Sequence, residues 1–449
     1  MNQLVKKLQD AAPVKILTAG FMILILLGSF LLSLPAASRS HESISFLNAL
    51  FEATSAVCVT GLVVFDTWTQ FSFFGQAVLL VLIQIGGLGF VTVAFLFLLS
   101  RKKKIGLRQK SLLMESFGIL NLAGIIPMVK MILKGTFLIE LLGAVLLSVR
   151  FIPLFGVREG IWYSVFHAVS AFCNAGFDLF GFRSASSLIT FRNDPLVILT
   201  ISGLILTGGL GFVVWSDLLL KKFRFSRLNF HSKTVLQATV ILLTVPTVMF
   251  TLSENNGALA GLTNGEKVLN ALFLAVTPRT AGFSNIDLAG LSAAGKVLMT
   301  ILMMIGAAPG STGGGLKITT AAVLFATVRT WMKGGTGANI PLGRYRIDPQ
   351  IISRAFVAFF LYLAIALAGT YILCACGESV EEALFECFSA IGTVGVSLGI
   401  TSALAPLSKI TIISMMFFGR LGSLTVFLAL NRIDANDKLK NPVGSIIIG

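Results

Sequence analysis

Four short segments of this 449-residue chain carry a pattern suited to holding a monovalent cation. They read NALFEATSAVCVTGLVVFD from Asn48, YSVFHAVSAFCNAGFDLF from Tyr163, NALFLAVTPRTAGFSNID from Asn270 and EALFECFSAIGTVGVSLG from Glu382. Each is a short helical stretch followed by a non-helical strand with one glycine in the corresponding place: Gly61, Gly176, Gly282 and Gly395. The third aligns with a one-residue offset upstream. The residues before the glycines vary (Val59-Thr60, Asn174-Ala175, Thr280-Ala281, Thr393-Val394), which fits coordination by main-chain oxygens. Four such loops around one axis would turn carbonyl oxygens inward and replace the water shell of the ion. The helices before them would aim their partly negative C-termini at the same point. Ordinary turn or packing glycines would account for one such loop, but hardly for one in each of four helix pairs.

The elements that must hold these loops are membrane helices. Hydrophobic residues make up 55% of the chain and charged ones 12%, which no water-soluble domain can hide. Apolar spans fall near 14–36, 74–99, 131–152, 195–220, 234–252, 292–328, 351–376 and 407–430. The glycine segments lie between the members of successive pairs and are too short to cross. Repetition on this scale fixes the fold: an all-α polytopic membrane protein of four span–re-entrant loop–span repeats, eight transmembrane helices around one central pore. The repeats cover 1–110, 111–233, 234–346 and 347–449. Basic residues exceed acidic ones by 15 and cluster in two loops, Arg101–Lys110 and Lys221–Lys233. That marks these loops, and both termini, as cytoplasmic and makes nucleic acid an improbable partner. The five cysteines read as small hydrophobes.

One stretch, MMIGAAPGSTGGGLKITTAAVLF from Met303, interrupts the second span of the third repeat with small residues. The second spans of the other repeats also carry glycines, but only this one opens into a loop by its sequence. Gly306, Ala307, Ala308, Pro309, Gly310, Ser311, Thr312, Gly313, Gly314 and Gly315, with Lys317, would form a gate below the glycine loops, its backbone hydrated by the pore. The alternative is a packing kink. The likeness to a phosphate-binding loop fails because Leu316 stands where lysine is required. Arg420 lies in mid-span, a costly position. It either faces the pore, bonding gate-loop carbonyls and repelling cations, or pairs structurally with Glu140. Glu52, His167 and Glu386 occupy matching places in three loop helices and are expected to brace backbone. Asp178 and Asp287 follow the second and third strands and would draw cations to the outer entrance. Residues 111–129 read as an interfacial amphipathic helix, and the apolar tail NPVGSIIIG as a subunit contact.

The four glycine loops and the single broken span resemble the Trk/Ktr/HKT superfamily of potassium transporters, most closely the KtrB-type membrane subunits of bacterial Ktr systems. The likeness runs from the first span to about Leu430. Thr393-Val394-Gly395 matches the start of the potassium-channel filter signature. The resemblance implies K+ at the loop carbonyls, a homodimer in a bacterial plasma membrane and a cytoplasmic ring of nucleotide-binding regulatory subunits. It also implies an intramembrane gate, no covalent cofactor and a role for Na+ as activator. Members with serine at the first-loop position tend to conduct sodium, so Gly61 favours potassium.

The competing function is a secondary transporter coupling K+ to Na+ or H+ by alternating access. Broken helices there come in corresponding halves, whereas this break is expected once. An enzyme is disfavoured: the three histidines form no acid–base pair.

Overall fold

The computed structural model describes residues 13–89, 125–183, 187–335 and 339–422. The basic cluster Arg101–Lys110, residues 111–124 of the expected interfacial helix, the ends of two spans and the tail NPVGSIIIG lie outside them.

Among the described residues the chain is helical apart from one small hairpin. The elements are α1 (Pro13–Ser33), α2 (Phe46–Cys58), the single turn α3 (Thr67–Gln70), α4 (Phe73–Leu88), α5 (Ile125–Phe155), α6 (Val157–Phe172), α7 (Pro195–Gly209) and α8 (Phe212–Leu220). They continue with α9 (Phe230–Ser253), α10 (Asn264–Val276), α11 (Ala293–Met303), α12 (Ile318–Met332), β1 (Pro341–Leu342), β2 (Tyr345–Arg346), α13 (Pro349–Ala375), α14 (Val380–Gly392) and α15 (Pro406–Leu421).

Among the described residues four helices, α1, α5, α9 and α13, are each long and apolar enough to cross a bilayer. Each opens a repeat and exposes large side chains such as Phe30, Leu141, Val248 and Phe360 outward. The loop helices α2, α6, α10 and α14 sit inside them. Three begin at a hydroxyl cap: Ser45, Thr263 (with Glu266 completing a capping box) and Ser379.

The second spans depart from the sequence expectation. The third is open between Met303 and Ile318, as expected, but it is not alone. In the second repeat the helix stops at Gly209 and resumes at Phe212 bent by 93°. The hinge Gly211 has φ 87°, ψ 137°. Gly89 and Gly422 end α4 and α15 with nearly the same dihedrals, 80°/131° and 86°/125°. These angles suit glycine alone, and a repeated sterically special position is what the scattered sequence glycines encode.

The repeats close into a ring. Each second span packs on the loop helix of the next repeat: α4 on α6, α7 on α10, α11 on α14, and α15 back on α2. Lys409 Nζ donates to Asn48 Oδ1 at 3.0 Å across that last junction.

Candidate functional site

At the C-terminal end of each loop helix the chain makes the same unusual turn. Val59, Asn174, Thr280 and Thr393 are left-handed, with φ of 56°, 60°, 66° and 50°. Two residues later Gly61, Gly176, Gly282 and Gly395 also have positive φ, from 71° to 99°. Left-handed Val and Thr are costly and persist only where surroundings hold them. Here backbone bonds do so: Thr60 N to Ser55 O at 2.8 Å, Ala175 N to Ser170 O at 2.7 Å and Val394 N to Ser389 O at 2.8 Å. In the third repeat, which has one residue fewer, Ala281 N reaches Thr277 O at 3.0 Å. Hydroxyls add a second hold. Ser55 Oγ and Ser389 Oγ accept from Gly61 N (3.0 Å) and Gly395 N (3.1 Å), while Ser170 and Thr277 donate to the Phe177 and Phe283 carbonyls. These four hydroxyl residues escaped the sequence reading, although each stands at the aligned place in its segment.

The four turns meet. A methyl carbon built on Gly176 would lie 2.6 Å from Gly282 Cα, and one on Gly61 would lie 2.7 Å from the Ala175 carbonyl oxygen. One on Gly282 would lie 3.0 Å from the Val394 oxygen, and one on Gly395 would collide with the Thr60 oxygen. The carbonyls of Thr60, Ala175, Ala281 and Val394 therefore crowd one small ring with the glycines, in chain order. The side chains of Thr60, Asn174, Thr280 and Thr393 are fully buried around it.

Outside the ring, buried polar groups hold the strands that follow. Glu52 Oε1 accepts from Val64 N (2.8 Å) and Phe65 N (3.1 Å), and His167 Nε2 accepts from Leu179 N (3.3 Å). Glu386 instead accepts from the Thr401 hydroxyl. Leu274 takes this place in the third repeat, and Asn285 Nδ2 bonding Asn270 Oδ1 at 2.6 Å ties its strand back instead.

Above the four glycines lies an open cavity of about 320 Å³ with Asp66, Asp178 and Asp287 in its walls. Asp66, which follows the first strand, was missing from the sequence reading. Among the described residues three carboxylates and no basic side chain line this space, which makes it attractive to cations.

The loop of the third repeat lies beneath the ring and is stitched to its neighbours. Ala308 N and Thr312 N donate to the Gly209 and Gly208 carbonyls at 3.1 and 3.3 Å, and Phe212 N to Gly310 O at 2.8 Å. Gly315 N reaches Gly419 O at 3.2 Å, and Gly314 N reaches Thr393 Oγ1 at 3.1 Å. Inside the loop, Gly306 N bonds Leu316 O at 2.7 Å, Ser311 Oγ bonds Ala308 O at 2.6 Å and Lys317 Nζ bonds Gly313 O at 2.8 Å. Ala307, Ala308 and Thr312 are fully buried, while Pro309 is half-buried. The expectation of a water-satisfied loop is thus corrected: protein groups satisfy much of its backbone, made available where the neighbouring spans break. Arg420 completes the stitching. Its Nη1 donates to Thr312 O and its Nη2 to the carbonyls of Gly86 and, at 3.2 Å, Gly87. Glu140 is not its partner; that carboxyl accepts from Gln84 Nε2 at 3.0 Å.

A helical membrane chain that gathers four main-chain turns under an acid-lined opening is built as a cation transport protein. The chain belongs to the TrkH family, described as cation transport protein, whose model matches residues 6–440. It is 43% identical to the potassium/sodium uptake protein NtpJ of Enterococcus hirae, over 98% of this chain and 97% of that one. It is 38% identical to the Ktr system potassium uptake protein B of Bacillus subtilis, over 97% of each. The structure superposes on the potassium transporter TrkH from Vibrio parahaemolyticus with a TM-score of 0.70 at 20% identity, covering 92% of this chain and 85% of that one. The resemblance to the KtrB-type Trk/Ktr proteins is borne out, and the family is one of transporters rather than enzymes.

Proposed function

We propose that this chain is the potassium-conducting membrane subunit of a potassium uptake system, with eight crossings around one pore. The observation that carries the reading is the crowding of four carbonyl-bearing turns at Gly61, Gly176, Gly282 and Gly395 below a cavity walled by three aspartates. K+ enters the acidic cavity and gives up its water to the carbonyls of residues 59–61, 174–176, 280–282 and 393–395. It is then driven inward by membrane voltage, worth about 2.3 kcal/mol per charge per 100 mV. Residues 306–315 with Lys317 and Arg420 form the gate. In the closed arrangement Arg420 bolts Thr312 to the break in the first repeat and places a cation in the path. Opening requires those bonds to part.

The family resemblance is what suggests a homodimer working with a cytoplasmic ring of nucleotide-binding regulatory subunits in a bacterial plasma membrane, while the relatives' names place them in a Ktr potassium uptake system. The Enterococcus relative, a potassium/sodium uptake protein by name, supports a role for Na+ beside K+. The test is cation flux in liposomes holding the purified chain alone. Voltage-driven flux that prefers K+, loses that preference in Gly282→Ser and grows when 309–314 are deleted is the expected result. Flux that needs a Na+ or H+ gradient and never responds to voltage alone replaces this reading with a coupled transporter.

A further inference from the structure

An apolar groove lies well away from the glycine ring, between the end of α12 and the start of α13. It measures about 450 Å³ and is walled chiefly by Trp331, Met332, Ile352 and Phe356. Its base is firm. Val323, Ala326, Ile340, Ile347 and Ile352 form a separate buried cluster, and Ile347 N bonds Ile340 O at 3.0 Å to close the β1–β2 hairpin over it. Tyr345 at the hairpin tip packs on Phe230 of α9 with ring centroids 4.8 Å apart. The groove is continuous with an outward surface: Trp331 is 60% exposed, and Phe325 and Phe360 are each 70% exposed. On a membrane helix such side chains face lipid, and tryptophan settles at the headgroup level.

The rim is cationic. Arg329, Lys333 and Arg354 adjoin the lining residues Val328, Met332 and Ser353 in sequence, and Arg344 and Arg346 lie on the hairpin between the lining residues Ile340 and Pro349; all five are exposed. Among the described residues none of the five side chains forms an ion pair or hydrogen bond. The one acid in this stretch, Asp348, is engaged in capping α13, accepting from Gln350 N at 2.8 Å.

We propose that this groove binds an anionic phospholipid, with an acyl chain along Trp331 and Phe356 and the phosphate among the rim guanidinium groups. Arginine's planar fork matches phosphate oxygens, and the charge rule puts this end of α12 at the leaflet where anionic lipid is enriched. A second copy of the chain fits worse, because a twofold contact would press the cationic rim against itself. A water-soluble acidic partner would answer the charges but leave the apolar groove and its aromatic wall uncovered. The bound lipid would steady the half-helix that follows the loop at 304–317. The site does not depend on which ion the protein passes.

The experiment uses the full chain purified in detergent. Native mass spectrometry counts retained lipid and a thermal melt follows the midpoint, with phosphatidylglycerol or phosphatidylcholine added. Phosphatidylglycerol is expected to be retained in preference and to raise the midpoint. The triple change Arg344→Gln, Arg346→Gln, Arg354→Gln should lower its retention by about tenfold or more, since surface cations each strengthen attraction to anionic lipid. Ser353→Phe, which plugs the groove and keeps every rim charge, should do the same and serves if the triple variant folds poorly. Lys221→Gln with Lys222→Gln, on a separate basic loop, should leave retention unchanged. Equal retention of the two lipids, or equal loss in the Lys221/Lys222 control, would overturn the proposal. So would a rim variant that changes subunit stoichiometry while keeping its lipid, which would make the groove a contact between copies.

Discussion

The amide of Gly314 donates to the hydroxyl of Thr393 at 3.1 Å, so the loop of the third repeat is tied directly to the left-handed residue of the fourth glycine turn. The proposed gate loop and the proposed filter turn therefore meet at one residue. Thr393→Val keeps the shape and removes the acceptor, costing the closed state about 1 kcal/mol. Flux in liposomes should rise by about fivefold on that basis, while Thr393→Ser, which keeps the hydroxyl, should stay near the native rate. Equal flux from both variants would show that this bond does not hold the loop.

The four glycines should not be equally sensitive. A methyl group on Gly395 would strike the Thr60 carbonyl oxygen and lie 2.8 Å from Gly61 Cα, so Gly395→Ala should abolish flux. At Gly282 the nearest obstacle is Gly176 Cα at 2.7 Å, with the Val394 and Thr60 oxygens at 3.0 and 3.3 Å. Gly282→Ser should still conduct, with the K+/Na+ permeability ratio lowered about tenfold, or about 1.4 kcal/mol of discrimination. Reversal potentials in asymmetric K+/Na+ solutions measure this directly.

Changing Asp66, Asp178 and Asp287 together to Asn should act on supply rather than selection. All three line the outer cavity, and their charge concentrates cations there. The K+ concentration giving half-maximal flux should rise about threefold at low ionic strength and converge with the native value near 1 M salt, where the screening length is about 3 Å. Persistence of the difference at high salt would mean that the substitutions deform the strands instead.

Much of this was legible in the sequence, for a physical reason. The chain makes the same backbone turn four times, and the turn leaves a glycine at the same place each time, so Gly61, Gly176, Gly282 and Gly395 could be aligned by eye. The hinges were harder. Gly211 is one of several glycines in its span, and nothing local tells a 93° bend from close helix packing. The loop's hydrogen bonds were also invisible, because their acceptors at Gly208, Gly209 and Gly419 lie in other repeats and become available only when those helices break. Asp66 was overlooked although it follows its glycine by five residues, as Asp287 does, because the apolar residues 62–65 separate it from the turn and nothing in sequence shows the strand folding back to the opening.

Glu52 offers a stability test separate from conduction. Its Oε1 accepts two backbone amides of the strand after Gly61, in full burial. Glu52→Ala leaves both donors unsatisfied and should cost about 2–4 kcal/mol, read as a lowered thermal midpoint in detergent. Glu52→Gln retains one acceptor oxygen and should recover part of the loss. A midpoint unchanged in Glu52→Ala would mean that water replaces the carboxylate and that the strand does not rely on it.

Arg420 is the most informative single position, because bolt and barrier predict different things. Its two terminal nitrogens reach separate targets, Thr312 O on the loop and the Gly86 and Gly87 carbonyls on the first repeat. A lysine ammonium is a single point donor and cannot span both. If bridging holds the gate shut, Arg420→Lys should raise flux nearly as much as Arg420→Ala. If the charge alone is the barrier, Arg420→Lys should stay close to the native rate and only Arg420→Ala should open the path. Deleting 309–314 removes the loop end of the bridge, so Arg420→Ala added to that deletion should give less than the product of the separate effects. Full multiplicativity would mean that residue and loop act apart, and a lowered thermal midpoint with no added flux would make Arg420 a structural link between repeats.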